Sequence, residues 1–246
     1  MLKFFDRRKE SASNSFSFLQ TDVHSHLIPG LDDGSKNIQT SLSLIKSLYN
    51  LGFTKLITTP HIMQDYYPNK AEEIADRVKE LQKDISREGI PVSIQSAAEY
   101  FLDENIEELL RDGDLLTVRE MEVLVEIPFV GAPFHLRQML FNIQVMGYQP
   151  ILAHPERYEY FWRDLEQLRE IRKNGCLFQV NLNSFGGYYG KYAKEMAFKL
   201  LKEGLVDYAG SDLHHIKHLI GLKKLLQNRK VMGMLYGYEK WRNPLL

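Results

Sequence analysis

The sequence predicts a parallel α/β barrel, and three observations carry that expectation. Seven β-like segments are spread along the 246 residues, with helical patterns between them. Glycines recur where those helices should stop, at Gly52, Gly89, Gly147, Gly175 and Gly204, so helix, stop and strand repeat in a constant order. Six of the seven segments end in histidine, aspartate or glutamate, and strands that enter a barrel in one direction carry such tips to one face.

The elements follow in order. Residues 1–15 read as a flexible N-terminal tail, leaving 16–246 as a single domain. Phe16 and Phe18 lead into the first strand, 21–26. A helix over 38–51 repeats Leu42, Ile45, Leu48 and Leu51 along one face. The second strand, 55–61, precedes a helix over 71–87 with Ile74, Val78, Leu81 and Ile85 on one side. Strand 92–99, a short helix over 105–111, strand 122–126 and a helix over 133–146 come next. Strand 150–154 leads to a helix over 165–173, and strand 177–181 to a helix over 191–202. The last strand, 206–214, precedes one closing helix over 219–234, with 241–246 as a packed or capping tail.

Composition narrows the function classes. Hydrophobic residues at 44% and charged residues at 26% suit a globular protein. Lys+Arg 31 against Asp+Glu 32 gives a net charge of -1, so no overall basic field invites nucleic acid. No apolar run reaches the roughly 18 to 20 residues that cross a bilayer. The start of the chain lacks a signal peptide's apolar region, so the cytoplasm is the expected location. The lone Cys176 excludes an intramolecular disulfide.

The strand tips carry the chemistry. His24 and His26 are two apart on a strand, so both rings point the same way and can reach one ion. The loop 29–34 follows at once, and its carboxylates can fold back toward the pair. His61 and His154 end apolar strands; Asp212 and His214 repeat the two-residue spacing of the first strand. Glu99 and Glu126 end strands where an unpaired carboxylate is costly to bury, leaving ion pairing or metal ligation. Histidine with carboxylate is the donor set of a hydrolytic metal centre. Asp33, Glu99, Glu126 and Asp212 supply four negative charges, enough to neutralise two divalent ions; a third leaves positive charge suited to a phosphate.

At these residues the chain resembles the PHP superfamily (polymerase and histidinol phosphatase), and within it the metal-dependent bacterial protein-tyrosine phosphatases of capsule and exopolysaccharide loci. The matching stretches are Asp22-Val-His-Ser-His26, Leu31-Asp-Asp-Gly34, Thr59-Pro-His61, Ala98-Glu99, Glu126, Ala153-His-Pro-Glu-Arg157 and Gly210-Ser-Asp-Leu-His214. The resemblance implies a distorted (β/α)7 TIM-like barrel and two or three divalent ions, with manganese favoured over iron or zinc. It implies metal ligands at His24, His26, Asp33, His61, Glu99, Glu126, His154, Asp212 and His214. It assigns Arg157 to the substrate phosphate, where a guanidinium suits paired oxygens. The implied partner is a phosphotyrosine protein, a bacterial tyrosine autokinase controlling polysaccharide synthesis. The alternative is a PHP-type phosphomonoesterase acting on a metabolite such as histidinol phosphate.

One departure stands out. The family carries a second arginine shortly after the last Asp-x-His, whereas here His215-Ile-Lys-His218 follows and the next arginine is Arg229. Lys217 or His218 fills that role, or the contact is missing. The expected mechanism is in-line attack on phosphorus by metal-activated water, with no covalent nucleophile. Cys176 has no arginine six residues on and sits at the start of its strand, so it reads as structural. The stretch 186–190 reads as a glycine turn rather than a substrate lip, His135 as a surface or packing residue, and Asn181 as a substrate contact or an orienting group.

Overall fold

The computed structural model describes residues 14–103, 106–113 and 115–246. Most of the expected tail, residues 1–13, lies outside the described residues. The chain alternates β-strands and α-helices, and all strand pairs are parallel.

Seven strand runs follow the chain order. β1 (Thr21–Asp22), β2 (Lys55–Thr58) and β4 (Ser93–Ser96) pair in that sequence. β3 (His61–Ile62), β5 (Glu99–Phe101), β6 (Glu122–Glu126), β7 (Gln149–Ala153), β8 (Leu177–Asn181) and β9 (Tyr208–Gly210) form the second sheet. β2 and β3 belong to one expected strand, interrupted at Thr59-Pro60, where proline has no ladder N–H to give. β4 and β5 likewise continue one another across Ala97-Ala98. Ala97 N bonds Thr58 O at 2.9 Å and Glu99 N bonds Pro60 O at 3.1 Å, so pairing persists through both breaks. At the far side Ser25 bridges Leu213, and Asp212 N donates to His24 O at 2.8 Å.

Alternation along each strand sorts its side chains. Val23, Ile57, Ala97, Leu124, Ile151, Leu177 and Tyr208, one from each strand run, meet in a compact apolar cluster. Neighbouring residues such as Leu56, Val123, Val125, Leu152 and Phe178 point the other way, into a larger cluster shared with the helices. That cluster runs from Phe16, stacked on Phe53 at 5.6 Å, to Trp241 near the C-terminus.

The helices bury the faces their spacing announces. α1 (Ile38–Asn50) starts where Asn37 accepts Thr40 N–H at 2.9 Å and buries Leu44, Ile45 and Leu48. α2 (Ala71–Arg87) buries Ile74, Val78, Leu81 and Ile85, as expected. α3 (Ile106–Asp112), α4 (Leu136–Val145), α5 (Leu165–Lys173), α6 (Leu182–Gly186) and α7 (Lys191–Glu203) follow their strands. The expected single closing helix is two, α8 (Ile216–Leu226) and α9 (Arg229–Tyr236). Asn228 makes the difference: its side chain accepts Val231 N–H at 3.2 Å, so it caps a new helix instead of continuing the old one. None of the described helices is long and apolar enough to cross a membrane.

The terminal segment closes the N-terminal end of the strands. Asn243, fully buried, donates to Thr21 O at 2.9 Å and Ala209 O at 2.8 Å and accepts Ala209 N–H at 2.9 Å. The tail expected from sequence thus links the first and last strands through one side chain.

Candidate metal centre

All nine expected ligands come together at the C-terminal ends of the strands. Their nitrogen and oxygen atoms form four groups in which every atom lies within 4.8 Å of the others. The groups are His26, Asp33, His61 and His214; His24, Glu99 and His154; His24, His26 and Asp212; and His61, Glu99 and Glu126. Glu99 is the hub. One of its oxygens lies 3.1 Å from His24 Nε2 and 3.2 Å from His61 Nδ1, and the other lies 3.1 Å from His154 Nε2. Asp33 approaches from its loop, half-exposed, with Oδ1 3.3 Å from His214 Nε2 and 3.6 Å from His61 Nε2.

Close backbone packing lets the rings converge. A Cβ at Gly34 would stand 2.3 Å from His26 O, and one at Gly210 would stand 2.6 Å from His24 Cβ. Two of the nine residues also hold left-handed backbone, His154 at φ 34° and Asp212 at φ 49°. Such conformations cost on the order of 1–3 kcal/mol in non-glycine residues and persist where the surroundings over-determine them.

A hydrogen-bonded chain sets the protons. Asp212 Oδ2 accepts Asn181 Nδ2–H at 2.7 Å, Asn181 Oδ1 accepts Gln179 Nε2–H at 2.9 Å, and Gln179 Oε1 faces His24 Nδ1 at 2.8 Å. A carboxylate only accepts, so the whole chain has one direction and His24 carries its proton on Nδ1. On the other side Asp32 Oδ2 takes the Nδ1–H of His26 at 2.7 Å. With both Nδ1 protons placed, the two Nε2 atoms face each other at 3.2 Å, and against burial Glu99 raises the pKa of His24 and Asp32 that of His26, so positive charge is favoured at this spot. A proton or a divalent ion can supply that charge, and two Nε2 atoms beside Glu99 and Asp212 are a donor set that fits a divalent ion.

The electrostatics agree. Burial opposes the charge of Glu99, but His24 and His61 outweigh it and hold the carboxyl well below its usual range. Asp212 is lowered in the same way, against burial, by His24, His214 and Arg157. Burial, reinforced by Glu99 and Asp212, pushes Glu126 well above the carboxylate range. His154 falls to about 4, through burial and then Arg157, which leaves its ring neutral. A divalent ion would reverse the strain on Glu126 and accept the neutral imidazole.

Arg157 points into the same cavity, about 380 Å³, with His61, Glu126, His154 and Asp212. It pairs with Asp212 Oδ2 at 2.8 Å rather than with Glu156 beside it. Its guanidinium lies between two rings, 4.8 Å from Phe129 and 4.3 Å from Tyr189. Tyr189 belongs to the stretch expected to be only a glycine turn. It is a turn, with Gly187 at φ 83° and Gly190 at φ 92°, but one that delivers an aromatic ring to the site.

Several contributors were not singled out from sequence. Asp32 was hidden beside Asp33, since adjacent acids look alike until the loop is folded. Gln179 was readable, because it precedes Asn181 by two on one strand and so shares its face. Asn181, expected as a substrate contact or an orienting group, bonds Gln179 and Asp212. Phe129 is a loop residue with no periodicity to mark it. Glu156 is buried behind Arg157, accepting Asn181 N–H at 2.9 Å and the Ser184 hydroxyl at 2.6 Å, and burial pushes it up to about 7. Of the two candidates for the absent second arginine, His218 lines the cavity with His215, whereas Lys217 lines a neighbouring groove. Cys176 is buried away from the centre, its thiol pushed up to about 12 by burial. His135 is exposed at the start of α4.

Comparison with known proteins places this geometry. The family model for capsular polysaccharide synthesis, CpsB/CapC, matches residues 20–234. The tyrosine-protein phosphatase YwqE of Bacillus subtilis is 27% identical over 197 residues, covering 80% of this chain and 78% of its own. The tyrosine-protein phosphatase CpsB of Streptococcus pneumoniae is 27% identical over 205 residues, covering 79% and 83%. A crystal structure from work on YwqE and CpsB, described there as unique metal-dependent tyrosine phosphatases, matches with a TM-score of 0.80. It is 25% identical and covers 92% of this chain and 93% of its own.

Proposed function

This chain belongs to the CpsB/CapC family of capsular polysaccharide synthesis, and from that premise we propose that it is a metal-dependent protein-tyrosine phosphatase. The observation that carries the proposal is the facing pair of His24 and His26 Nε2 atoms, ringed by Glu99 and Asp212, with Arg157 at the mouth of the same cavity. His24, His26, Asp33, His61, Glu99, Glu126, His154, Asp212 and His214 would hold two or three divalent ions. Mixed nitrogen and carboxylate donors suit several divalent ions, and it is the family resemblance that favours manganese over iron or zinc. Bound there, the ions supply Lewis acidity, activating water and drawing charge from the phosphoryl group.

The protein's own groups do the rest. Asp212 and the two flanking rings pin Arg157, so its free N–H groups meet a phosphate already oriented. Gln179, Asn181 and Asp32 keep the histidines in the tautomer that offers nitrogen lone pairs inward. Phe129 and Tyr189 give the mouth an aromatic wall that fits a phenyl ring. A tyrosinate leaves with a pKa near 10, so it needs less protonation than an alkoxide.

The fold proposal is a distorted (β/α)7 barrel of the PHP type in one domain, residues 16–246. It is supported by parallel pairing in chain order, by the Ser25–Leu213 bridge, and by the cluster that draws on every strand run. As partner we propose a phosphotyrosine protein, a tyrosine autokinase met in the cytoplasm; the capsule context comes from the family's description and the phosphotyrosine chemistry from the relatives' names. The test is turnover of a phosphotyrosine peptide, a phosphoserine peptide and histidinol phosphate after Mn²⁺ reconstitution. The expected order puts phosphotyrosine first by at least about tenfold in kcat/KM, about 1.4 kcal/mol. Preference for histidinol phosphate would overturn the reading.

A further inference from the structure

Charge is distributed unevenly around the metal centre. The chain carries a formal net charge of -1, yet residues 213–238 hold Lys217, Lys223, Lys224, Arg229 and Lys230 and no aspartate or glutamate. Folding gathers part of this surplus into two hollows. The first, about 300 Å³, lies between α6 and α8 and is lined by Tyr188, Lys217, Ile220 and Lys224. The second, about 630 Å³, lies between α7 and α9 and is lined by Lys194, Phe198, Lys202, Lys230 and Met234. Asn228 belongs to both, and neither is lined by an acid.

The first hollow abuts the metal cavity. The Tyr188 ring stands edge-on to His218 at 5.0 Å, and Asn183, in the hollow's wall, donates to His218 O at 3.1 Å. His218 itself lines the cavity that holds Arg157. Cavity and hollows thus follow one another from the metal centre outward along α8 and α9. Lys194, Lys202, Lys217, Lys224 and Lys230 take part in none of the ion pairs among the described residues. Another cavity differs in sign: one of about 560 Å³ beside α2 and α3 is lined by Glu72, Asp103 and Glu108, with Lys70.

We propose that this lysine-lined trough binds an acidic segment of the polypeptide substrate, next to the phosphotyrosine held at the metal centre. The inference rests on the phosphatase reading and adds the sequence context of the substrate. A trough of two successive hollows fits an extended chain, with Tyr188, Ile220, Phe198 and Met234 taking up its apolar atoms. A bilayer is flat and would not enter the hollows. Unpaired lysines attract carboxylate or phosphate side chains without reading their exact identity, and salt weakens that attraction.

The experiment uses the full chain reconstituted with Mn²⁺ and three substrates: a phosphotyrosine peptide with glutamate flanks, its equal-length counterpart with uncharged flanks, and p-nitrophenyl phosphate. The acidic peptide should show a KM lower by roughly tenfold at low salt, and the gap should close at high salt. The double variant K224E/K230E should lose that gap while turning over p-nitrophenyl phosphate like the parent. K223E alters the same helix outside the hollows and should keep the gap. Equal KM for both peptides in the parent overturns the proposal, as does a gap that survives K224E/K230E. Binding to phosphatidylserine vesicles that K224E/K230E abolishes, without any peptide preference, overturns it in favour of a membrane surface. Failure of p-nitrophenyl phosphate turnover strikes the phosphatase reading alone, and peptide binding by fluorescence anisotropy then decides the trough by the same comparison of variants.

Discussion

Glu122 and Glu126 begin and end one strand, β6, four residues apart and so on the same face, and they meet opposite surroundings. At the N-terminal end Glu122 pairs with Arg242 and accepts the Tyr208 hydroxyl at 2.5 Å. Nearby, Asp207 pairs with Arg172 at 2.8 Å and accepts Phe178 N–H at 3.0 Å. Each acid there has its own arginine. At the C-terminal end Glu126 has only histidines, His154 at 3.4 Å and His61 at 3.9 Å, and stands beside two further carboxylates. One end of the strands gives each acid an arginine; at the other a single guanidinium, Arg157, pairs with Asp212, and Glu99 and Glu126 crowd together among histidines. A folded protein tolerates such frustration where a ligand will relieve it, which separates the end that stabilises from the end that acts.

The sharpest way to break the contrast is to remove one charge from each end. Asp212→Ala should cost on the order of 10³-fold or more in kcat/KM with metal supplied in excess, because it removes a ligand and frees Arg157. Its thermal midpoint without metal should fall, since Arg157 and Asn181 lose their shared partner. Retained turnover of a phosphotyrosine peptide by that variant would sink the site assignment.

Arg242→Ala should do the reverse. Leaving Glu122 partly buried without its partner should cost about 3–5 kcal/mol in urea-unfolding free energy. The kcat of the molecules that remain folded should match the parent. A large fall in kcat at full folding would mean that the two ends are coupled.

The smallest of the three effects tests orientation within the active end. Gln179→Leu keeps the volume but removes the acceptor for His24 Nδ1–H, so metal affinity should fall by roughly 10–100-fold. Calorimetric titration with Mn²⁺ measures this directly. An unchanged affinity would show that the Asp212–Asn181–Gln179 chain does not fix the His24 tautomer.

Much of the fold could be read along the chain because its signals are local. Ile74, Val78, Leu81 and Ile85 mark a buried face by spacing alone, and Gly52, Gly147 and Gly204 mark the places where helices yield to strands. The division of the closing helix at Asn228 was missed because an asparagine inside an apolar pattern becomes a cap only when its side chain turns back to Val231 N.

The gathering of the proposed ligands at one place was equally legible. His24, His26, His61, Glu99, Glu126, His154, Asp212 and His214 each end a strand or lie just past one, and parallel strands in chain order carry their ends to one place. Strand direction and side-chain alternation are properties of the sequence, so the residue types at the centre were determined there. What tertiary structure decided was how those residues are held. Which of Asp32 and Asp33 turns toward His26, which nitrogen of His24 carries the proton, that Arg157 chooses Asp212 over Glu156, and that lysines from three helices share one trough all depend on distances between segments far apart in the chain. Hydrogen bonds and charge pairs act over a few ångströms, and only the folded chain sets separations that fine.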